Sequence, residues 1–179
     1  MREFPSILLS EDAIATDTAL AVIHSNISVV NYLRHSDVGD DELHPDAFAS
    51  YCVDYYYNTV KEEGLASFIH KTKWDLDLIE IIQSGLLAIN AVEHLAYFEK
   101  QMRQMKLFSK VKLAKFLANP LEKGKEIAQL LEDSNFPTED LILLNANWLK
   151  QHPDTQIVSL PTMQALLLAF LEEDQEEEI

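Results

Sequence analysis

The sequence predicts an all-α protein, a single-domain multi-helix bundle around a buried central helix at about residues 75–89. Apolar residues recur at spacings of three and four through most of the chain, which is the period of one helix face. Between Ile81 and Val92 no residue is charged, and a helix that is apolar all round is normally enclosed by its neighbours. No alternating apolar and polar run is long enough to indicate a strand of useful length.

The predicted central helix begins with three acidic residues and ends at a capping signal. Asp75, Asp77 and Glu80 fall within its first two turns, where the helix N terminus carries partial positive charge. Its principal apolar face consists of Leu78, Ile82, Gly85, Leu86 and Ile89. Asn90 and Glu93 have the spacing of a capping box, which predicts that a further helix begins there.

Two longer helices are predicted before the central one. Ser10 is a suitable N-cap for a long helix that ends near residues 34–37. An acidic connection with a turn at Gly39 follows it. Pro45 suits the first turn of the second helix and Gly64 its end. A short turn of helix then leads into the central one.

The chain after the central helix is also predicted to be helical, apart from one short extended piece at residues 156–158. The helix that begins at the capping box reaches about Met105, and a further helix starts at Ser109 and ends at Asn119-Pro120. Another is expected at residues 121–133. Thr138 caps the next, with Glu139 and Asp140 in its first turn and His152-Pro153 at its end, and Pro161 or Thr162 begins a last helix that runs through Phe170.

Length and composition predict one folded domain. A chain of 179 residues with 47% hydrophobic residues is large enough to bury a substantial core. We expect a single helical domain at residues 1–171, followed by an acidic tail at residues 172–179 that frays because its charges are alike. The apolar runs are too short to cross a bilayer, and the N terminus does not resemble a signal peptide. These features indicate a cytoplasmic location.

The charge of the chain is strongly acidic and unevenly distributed. Thirty acidic against fourteen basic residues give a net charge of −16. Residues 1–100 and residues 126–179 each carry a net charge of −11, whereas residues 101–125 carry +6. Such a field repels nucleic acid and anionic membranes and attracts basic partners.

Several motifs at residues 48–104 resemble one bacterial family. They are Tyr55-Tyr56-Tyr57-Asn58, Gly64, Phe68, Trp74-Asp75, Ile79, Gly85-Leu86-Leu87-Ala88-Ile89, His94-Leu95 and Phe98-Glu99. Together they resemble the DMP-type DNA-mimic proteins. The resemblance implies an acidic, all-helical fold, a tendency to dimerise, and binding to the DNA-binding face of a transcription factor, which keeps that factor off DNA.

The acidic residues at two helix connections are the candidate contacts for such a partner, because a carboxylate can accept the same hydrogen bonds from Arg and Lys as a phosphate oxygen. The candidate phosphate-mimicking residues are Asp37, Asp40, Asp41, Glu42, Asp46, Glu132, Asp133, Glu139 and Asp140. The expected partner is a dimeric helix-turn-helix transcription factor, bound by a homodimer of this chain. The alternative is an immunity-like or antitoxin-like inhibitor of a basic nuclease or toxin.

The other motifs predict no chemistry. Asp75, Asp77 and Glu80 lack the spacing and glycine of a calcium loop, and the six histidines lack any paired ligand spacing. Cys52 is the only cysteine, which excludes an internal disulfide and a multi-cysteine metal site. We therefore expect no enzymatic activity, no cofactor and no metal, and neither direct nucleic-acid nor membrane binding.

Overall fold

The fold is described by a computed structural model for residues 3–119 and 135–177, with side chains for residues 3–119 and 135–172. These residues form nine helices and two short strands, so the all-α prediction is confirmed. The elements are β1 (Ile7–Ser10), α1 (Glu11–Ala15), α2 (Ala19–His35), α3 (Pro45–Glu63), α4 (Leu65–Thr72), α5 (Leu76–Ala88), α6 (Val92–Lys106), α7 (Lys110–Ala118), α8 (Leu141–Gln151), β2 (Thr155–Val158) and α9 (Leu160–Glu177).

The chain divides into two compact units. Unit 1 comprises Met1–Tyr51 and Ile142–Ile179, and unit 2 comprises Cys52–Leu141. The core of unit 1 contains the β1 side chains with Ile23, Leu33 and Leu149, and that of unit 2 contains Tyr56 and Phe98. The prediction that residues 1–171 behave as a single domain stays a prediction.

Unit 1 contains a two-stranded parallel pair, which the sequence indicated only in part. Residues 156–158 belong to β2, as the predicted extended piece, and β1 pairs with it from Ile7 opposite Thr155 to Ser10 opposite Val158. All four residues of β1 are buried. A strand buried on both faces shows no alternation of apolar and polar residues, so the periodicity did not reveal β1.

The predicted first long helix is two helices. Ser10 is the N-cap as expected, and its side chain accepts a hydrogen bond from the Ala13 amide at 3.1 Å. The helix stops at Ala15, however, because Asp17 adopts a left-handed conformation with φ of 52°. Thr18 then caps α2. Ser10 and Thr18, eight residues apart, therefore each cap a helix of their own.

Helix α5, the predicted central helix, is buried on one face only. Ile79, Ile82 and Leu86 are buried, while Leu76 and Leu87 are 63% and 67% exposed. Enclosure on all sides was therefore wrong for this helix, although its position and its acidic start are confirmed: Asp75 is the N-cap and accepts a hydrogen bond from the Asp77 amide. Residues 81–92 contain no charge because the solvent-exposed face of this stretch is apolar, as well as the face that packs in the core.

The predicted capping box after α5 is not formed. Asn90 has a φ of 60° and closes α5, because the Asn90 and Ala91 amides donate to the carbonyl groups of Leu87 and Leu86 at 3.0 Å each. This pair of bonds is a Schellman motif, in which Asn is one of the few residues suited to the left-handed position. Ala91 stands at the N-cap of α6 and provides no side-chain bond.

Two predictions concern residues near the limits of the described structure. The helix predicted at residues 121–133 lies outside the described residues. Helix α9 begins at Leu160, close to the predicted start, and continues to Glu177, so it includes most of the tail for which fraying was expected; that fraying stays a prediction. In the part of the chain that the structure describes, no helix has the length and apolar character needed to span a membrane.

Candidate functional site

The first acidic group begins where α2 ends. Asp37 has a φ of 65°, and the Asp37 and Val38 amides donate to the carbonyl groups of Arg34 and Leu33 at 3.3 and 3.2 Å. This is a second Schellman motif, with Asp37 in the left-handed position. The turn at Gly39 that the sequence predicted follows at once, closed by a 3.0 Å bond from the Glu42 amide to the Gly39 carbonyl group.

Two acids of this connection have partners within unit 1. The Arg34 Nε lies 2.8 Å from the Asp40 Oδ1, and both side chains are close to half exposed. Glu42 is held more closely, since its Oε2 accepts a hydrogen bond from the Gly39 amide at 2.8 Å. Asp40 therefore contributes less net negative charge to the surface than the sequence suggests, and Glu42 stabilises the turn.

Asp46, in the first turn of α3, takes part in a small cluster of histidines and acids. The His152 Nε2 lies 2.9 Å from the Asp46 Oδ2, and the His152 Nδ1 accepts a hydrogen bond from the Asp154 amide at 3.2 Å. On the other side, the His44 Nδ1 accepts hydrogen bonds from the Asp46 and Ala47 amides at 3.3 and 3.4 Å. His44 thus caps α3, and Asp46 orients His152.

Asp37 and Asp41 are the acids of this group that remain exposed without a side-chain partner among the described residues. Their position matters because Asp37, Asp40 and Asp41 follow the C terminus of α2. A helix C terminus carries partial negative charge and favours cations, here Arg34 and His35 in the last turn. The helix dipole therefore accounts for Asp46, whereas the charge of Asp37 lies at the C terminus of α2, where the dipole disfavours it.

The second acidic group contains a residue with a structural role. The Glu139 Oε2 accepts hydrogen bonds from the Glu93 and His94 amides at 3.1 and 3.3 Å. These amides lie in the first turn of α6, whose own N-cap residue Ala91 provides no acceptor. Glu139, 46 residues away in sequence, therefore caps α6. For this reason Glu139 and Asp140 precede α8 instead of forming its first turn.

His94 also contacts the connection that precedes α8. Its side chain is fully buried, its Nε2 lies 3.2 Å from the Glu139 carbonyl oxygen, and its ring packs edge-on against Tyr57 and Phe136. Burial lowers the pKa of His94 below its ordinary value of 6.5, although the Glu139 carbonyl group and the Glu139 and Glu93 charges act in the opposite direction. The neutral imidazole can donate from Nε2 to Glu139, and this bond fixes the backbone of the connection.

The nine predicted acids therefore fall into four sets. Asp37 and Asp41 are exposed; Asp40, Glu42, Asp46 and Glu139 bind groups of their own unit; and Glu132 and Asp133 lie outside the described residues. Asp140 is exposed and interacts within the protein. The sequence did not reveal the roles of His152 and His94, because their partners are 106 and 45 residues away.

The described residues contain no group of three or more His, Cys, Asp or Glu side chains placed to hold a metal ion. Cys52 is buried.

Comparison with known proteins gives one match. A family model described as DMP19-like protein matches residues 41–152. This range covers Asp41, Glu42 and Asp46 of the first acidic group and the whole of the second, and Asp37 and Asp40 precede it. No curated protein and no solved structure matches the chain.

Proposed function

The chain belongs to the DMP19-like protein family, and from this premise we propose that it is a DNA mimic, which binds the DNA-binding face of a transcription factor and prevents that factor from binding DNA. Family membership supports the DNA-mimic class. The identity of the target as a transcription factor is our proposal, as is a cytoplasmic location.

One observation supports particular residues as contacts for the partner. Asp37 and Asp41 are exposed, and Asp37 directly follows the C terminus of α2, where negative charge is electrostatically unfavourable. A residue that is unfavourable for stability and yet acidic is more readily explained by an external cation than by the fold. Asp40 lies between them in the sequence and is paired with Arg34, so the three acids form a row within five residues of the chain.

The chemistry of DNA recognition allows such a row to replace DNA. A duplex carries one negative charge per roughly 1.7 Å of its axis, and DNA-binding proteins direct half or more of their hydrogen bonds to phosphate and sugar. Carboxylates accept those bonds from Arg and Lys, but they present no base edges. The partner is therefore selected by the spacing of its basic groups, independently of the base sequence that it reads.

We further propose that the partner is a dimeric helix-turn-helix factor and that this chain acts as a homodimer. Half-sites of such factors lie about 34–36 Å apart, a distance that two copies can span. A groove of about 330 Å³ between α2 and α9 supports self-association: it is lined by Val29, Tyr32, Met163, Leu168 and other uncharged residues. Two copies with a net charge of −16 each repel least where neither is charged.

Sedimentation velocity tests the homodimer. Leu168→Glu places a charge in the groove and is expected to shift the protein to monomer, while Leu87→Glu adds the same charge to a more exposed leucine of unit 2 and should leave the dimer unchanged. A wild-type monomer at high concentration, or a dimer that Leu168→Glu does not weaken, contradicts this part of the proposal.

The DNA-mimic function is tested by competition. DNA-binding proteins retained by the immobilised protein from cell extract at low salt are purified, and their release from labelled operator DNA is measured as this protein is added. Asp37→Lys with Asp41→Lys should weaken competition by about tenfold or more. Glu62→Lys with Asp77→Lys makes the same change in net charge at exposed acids of unit 2 and serves as the control.

Unchanged operator occupancy at saturating amounts of this protein would contradict the function. Equal loss of competition in both double variants would show that net charge alone is responsible and would remove Asp37 and Asp41 from the site. Retention of a basic nuclease or toxin, inhibited without any effect on DNA occupancy, would instead support an inhibitor of that enzyme.

A further inference from the structure

The strongest feature that the proposed function does not use is a cluster of basic residues at the end of α6 and in α7. We call it the basic surface, and it consists of Arg103, Lys106, Lys110, Lys112 and Lys115. All five are exposed, and residues 100–119 contain no acid. Arg103 pairs with Glu99 at 3.7 Å, while the four lysines form no ion pair within the described structure. Among the residues that the structure describes, no carboxylate neutralises these four lysines.

The start of α7 is unfavourable without such an anion. Ser109 caps the helix and accepts a hydrogen bond from the Lys112 amide at 3.2 Å. Lys110 and Lys112 occupy the first turn, and no acid is present there. Because a helix N terminus carries partial positive charge, lysines at that end are repelled by the helix itself. A bound carboxylate would remove this repulsion.

The basic surface also exposes aliphatic side chains. Leu107 is 87% exposed and Val111 66% exposed, and both lie among the lysines in the sequence. The Lys112 ammonium group sits 5.2 Å from the centre of the Phe108 ring, so this ring is covered by a cation. The surface therefore offers positive charge and aliphatic contact together, and its aromatic ring is not open for stacking.

We propose that the basic surface is a docking site for an acidic protein segment that carries aliphatic side chains, which is a partner different in charge from the DNA-binding protein of the proposed function. Carboxylates of the segment pair with Lys106, Lys110, Lys112 and Lys115, and its aliphatic side chains cover Leu107 and Val111. Acids of this chain that lie farther than a Debye length from the basic surface repel the bound segment only weakly, because that length is about 8 Å at physiological ionic strength.

Other anionic partners fit these observations less well. Proteins that bind single-stranded nucleic acid stack bases on exposed aromatic rings, and the Phe108 ring is covered. Interfacial membrane binding grows with the apolar area inserted, and two aliphatic side chains supply little of it on a protein with a net charge of −16. An acidic protein segment uses both the lysines and the exposed aliphatic groups.

The test uses the full-length protein and a fluorescein-labelled peptide of repeated Glu-Glu-Leu, with binding followed by fluorescence anisotropy. Poly-glutamate, duplex DNA, and vesicles of phosphatidylserine and phosphatidylcholine are the comparison probes. We expect the Glu-Glu-Leu peptide to bind more tightly than poly-glutamate, and duplex DNA and vesicles to bind negligibly. The binding should weaken as salt is added, since the pairs are exposed.

Two sets of variants connect the binding to the basic surface. Lys110→Gln with Lys112→Gln should weaken peptide binding by about tenfold, because two exposed ion pairs at the start of α7 are lost. Lys61→Gln with Lys150→Gln removes the same charge from other exposed lysines and should have little effect. Leu107→Ser should weaken binding of the Glu-Glu-Leu peptide by about three- to tenfold without changing that of poly-glutamate.

Any of these outcomes would overturn the proposal: no binding of the peptide at low salt, equal losses in the Lys110/Lys112 and Lys61/Lys150 variants, or binding of DNA or vesicles that exceeds peptide binding. Lysine-dependent binding that ignores Leu107 would also overturn it, because the surface would then recognise charge alone. Operator competition by the Lys110/Lys112 variant should remain at the wild-type level, so this inference can fail independently of the proposed function.

Discussion

The two acidic connections have the same sequence signal and different structures. The connection after α2 leaves Asp37 and Asp41 exposed to solvent, while the connection before α8 directs Glu139 onto the first turn of α6, where it accepts two amide hydrogen bonds. A run of acids between helices thus indicates neither a cap nor a contact site by itself. What distinguishes the two is the nearby helix end: a C terminus in the first case and an uncapped N terminus in the second.

The largest expected effect removes the cap. Glu139→Ala leaves the Glu93 and His94 amides without their acceptor, and we expect it to lower the free energy of unfolding by about 2 kcal/mol, as measured by urea denaturation. Asp41→Ala in the other connection should change it by less than about 0.5 kcal/mol. Glu139→Gln retains an acceptor oxygen and should recover part of the loss. If both alanine variants were equally stable, the two connections would not differ as described.

Local signals allowed much of the fold to be predicted. Ser10, Pro45, Asp75 and Gly64 each act at the helix end that their own chemistry favours, and the periodicity located most helices to within a few residues. These residues satisfy backbone groups three or four positions away, so the information lies within a short stretch of sequence.

Long-range interactions explain the errors. Asn90 suits both an N-cap and a left-handed C-terminal position, and the choice was decided by Glu139, which caps α6 and makes an Asn cap unnecessary. The candidate site was similarly affected: the nine acids were chosen by charge and position, but the partners of Asp46 and Glu139 are more than forty residues distant. Sequence spacing carries no information about such pairs.

Asp46 provides a test within the first group, since its partner His152 is largely buried. Asp46→Ala removes the hydrogen bond from His152 and the acid in the first turn of α3, and it should lower the free energy of unfolding by about 1 kcal/mol. A double-mutant cycle with His152→Ala measures the coupling. A coupling energy of zero would place Asp46 with Asp37 and Asp41 as a freely exposed acid.

The second connection should also depend on pH through His94. Because burial lowers the pKa of His94 below 6.5, the unfolded chain binds a proton more readily than the folded protein does. The contribution of neutral His94 to the free energy of unfolding is therefore fully present above about pH 6.5, and it is lost as the pH is lowered from there through the folded-state pKa. Urea denaturation between about pH 7.5 and pH 5.5 should show a steeper decline for the wild type than for His94→Phe. Equal slopes would contradict the role of His94.

The smallest expected effect on stability is also the most informative about function. Asp37 occupies a left-handed position with φ of 65°, where Asn is well tolerated, so Asp37→Asn keeps the Schellman motif and removes only the charge.

Loss of that charge from the C-terminal end of α2 should leave the free energy of unfolding unchanged or raise it by about 0.3–0.5 kcal/mol, since the helix dipole disfavours an anion there. Competition with DNA for the partner should nevertheless weaken by about two- to fivefold, which corresponds to one exposed ion pair. Glu62→Gln, at an exposed acid near the C terminus of α3, is the matched control and should leave competition unchanged. A stabilised Asp37→Asn variant with full competition would mean that this acid is neither required by the fold nor used by the partner. The proposal that the acids after α2 bind the partner would then be wrong.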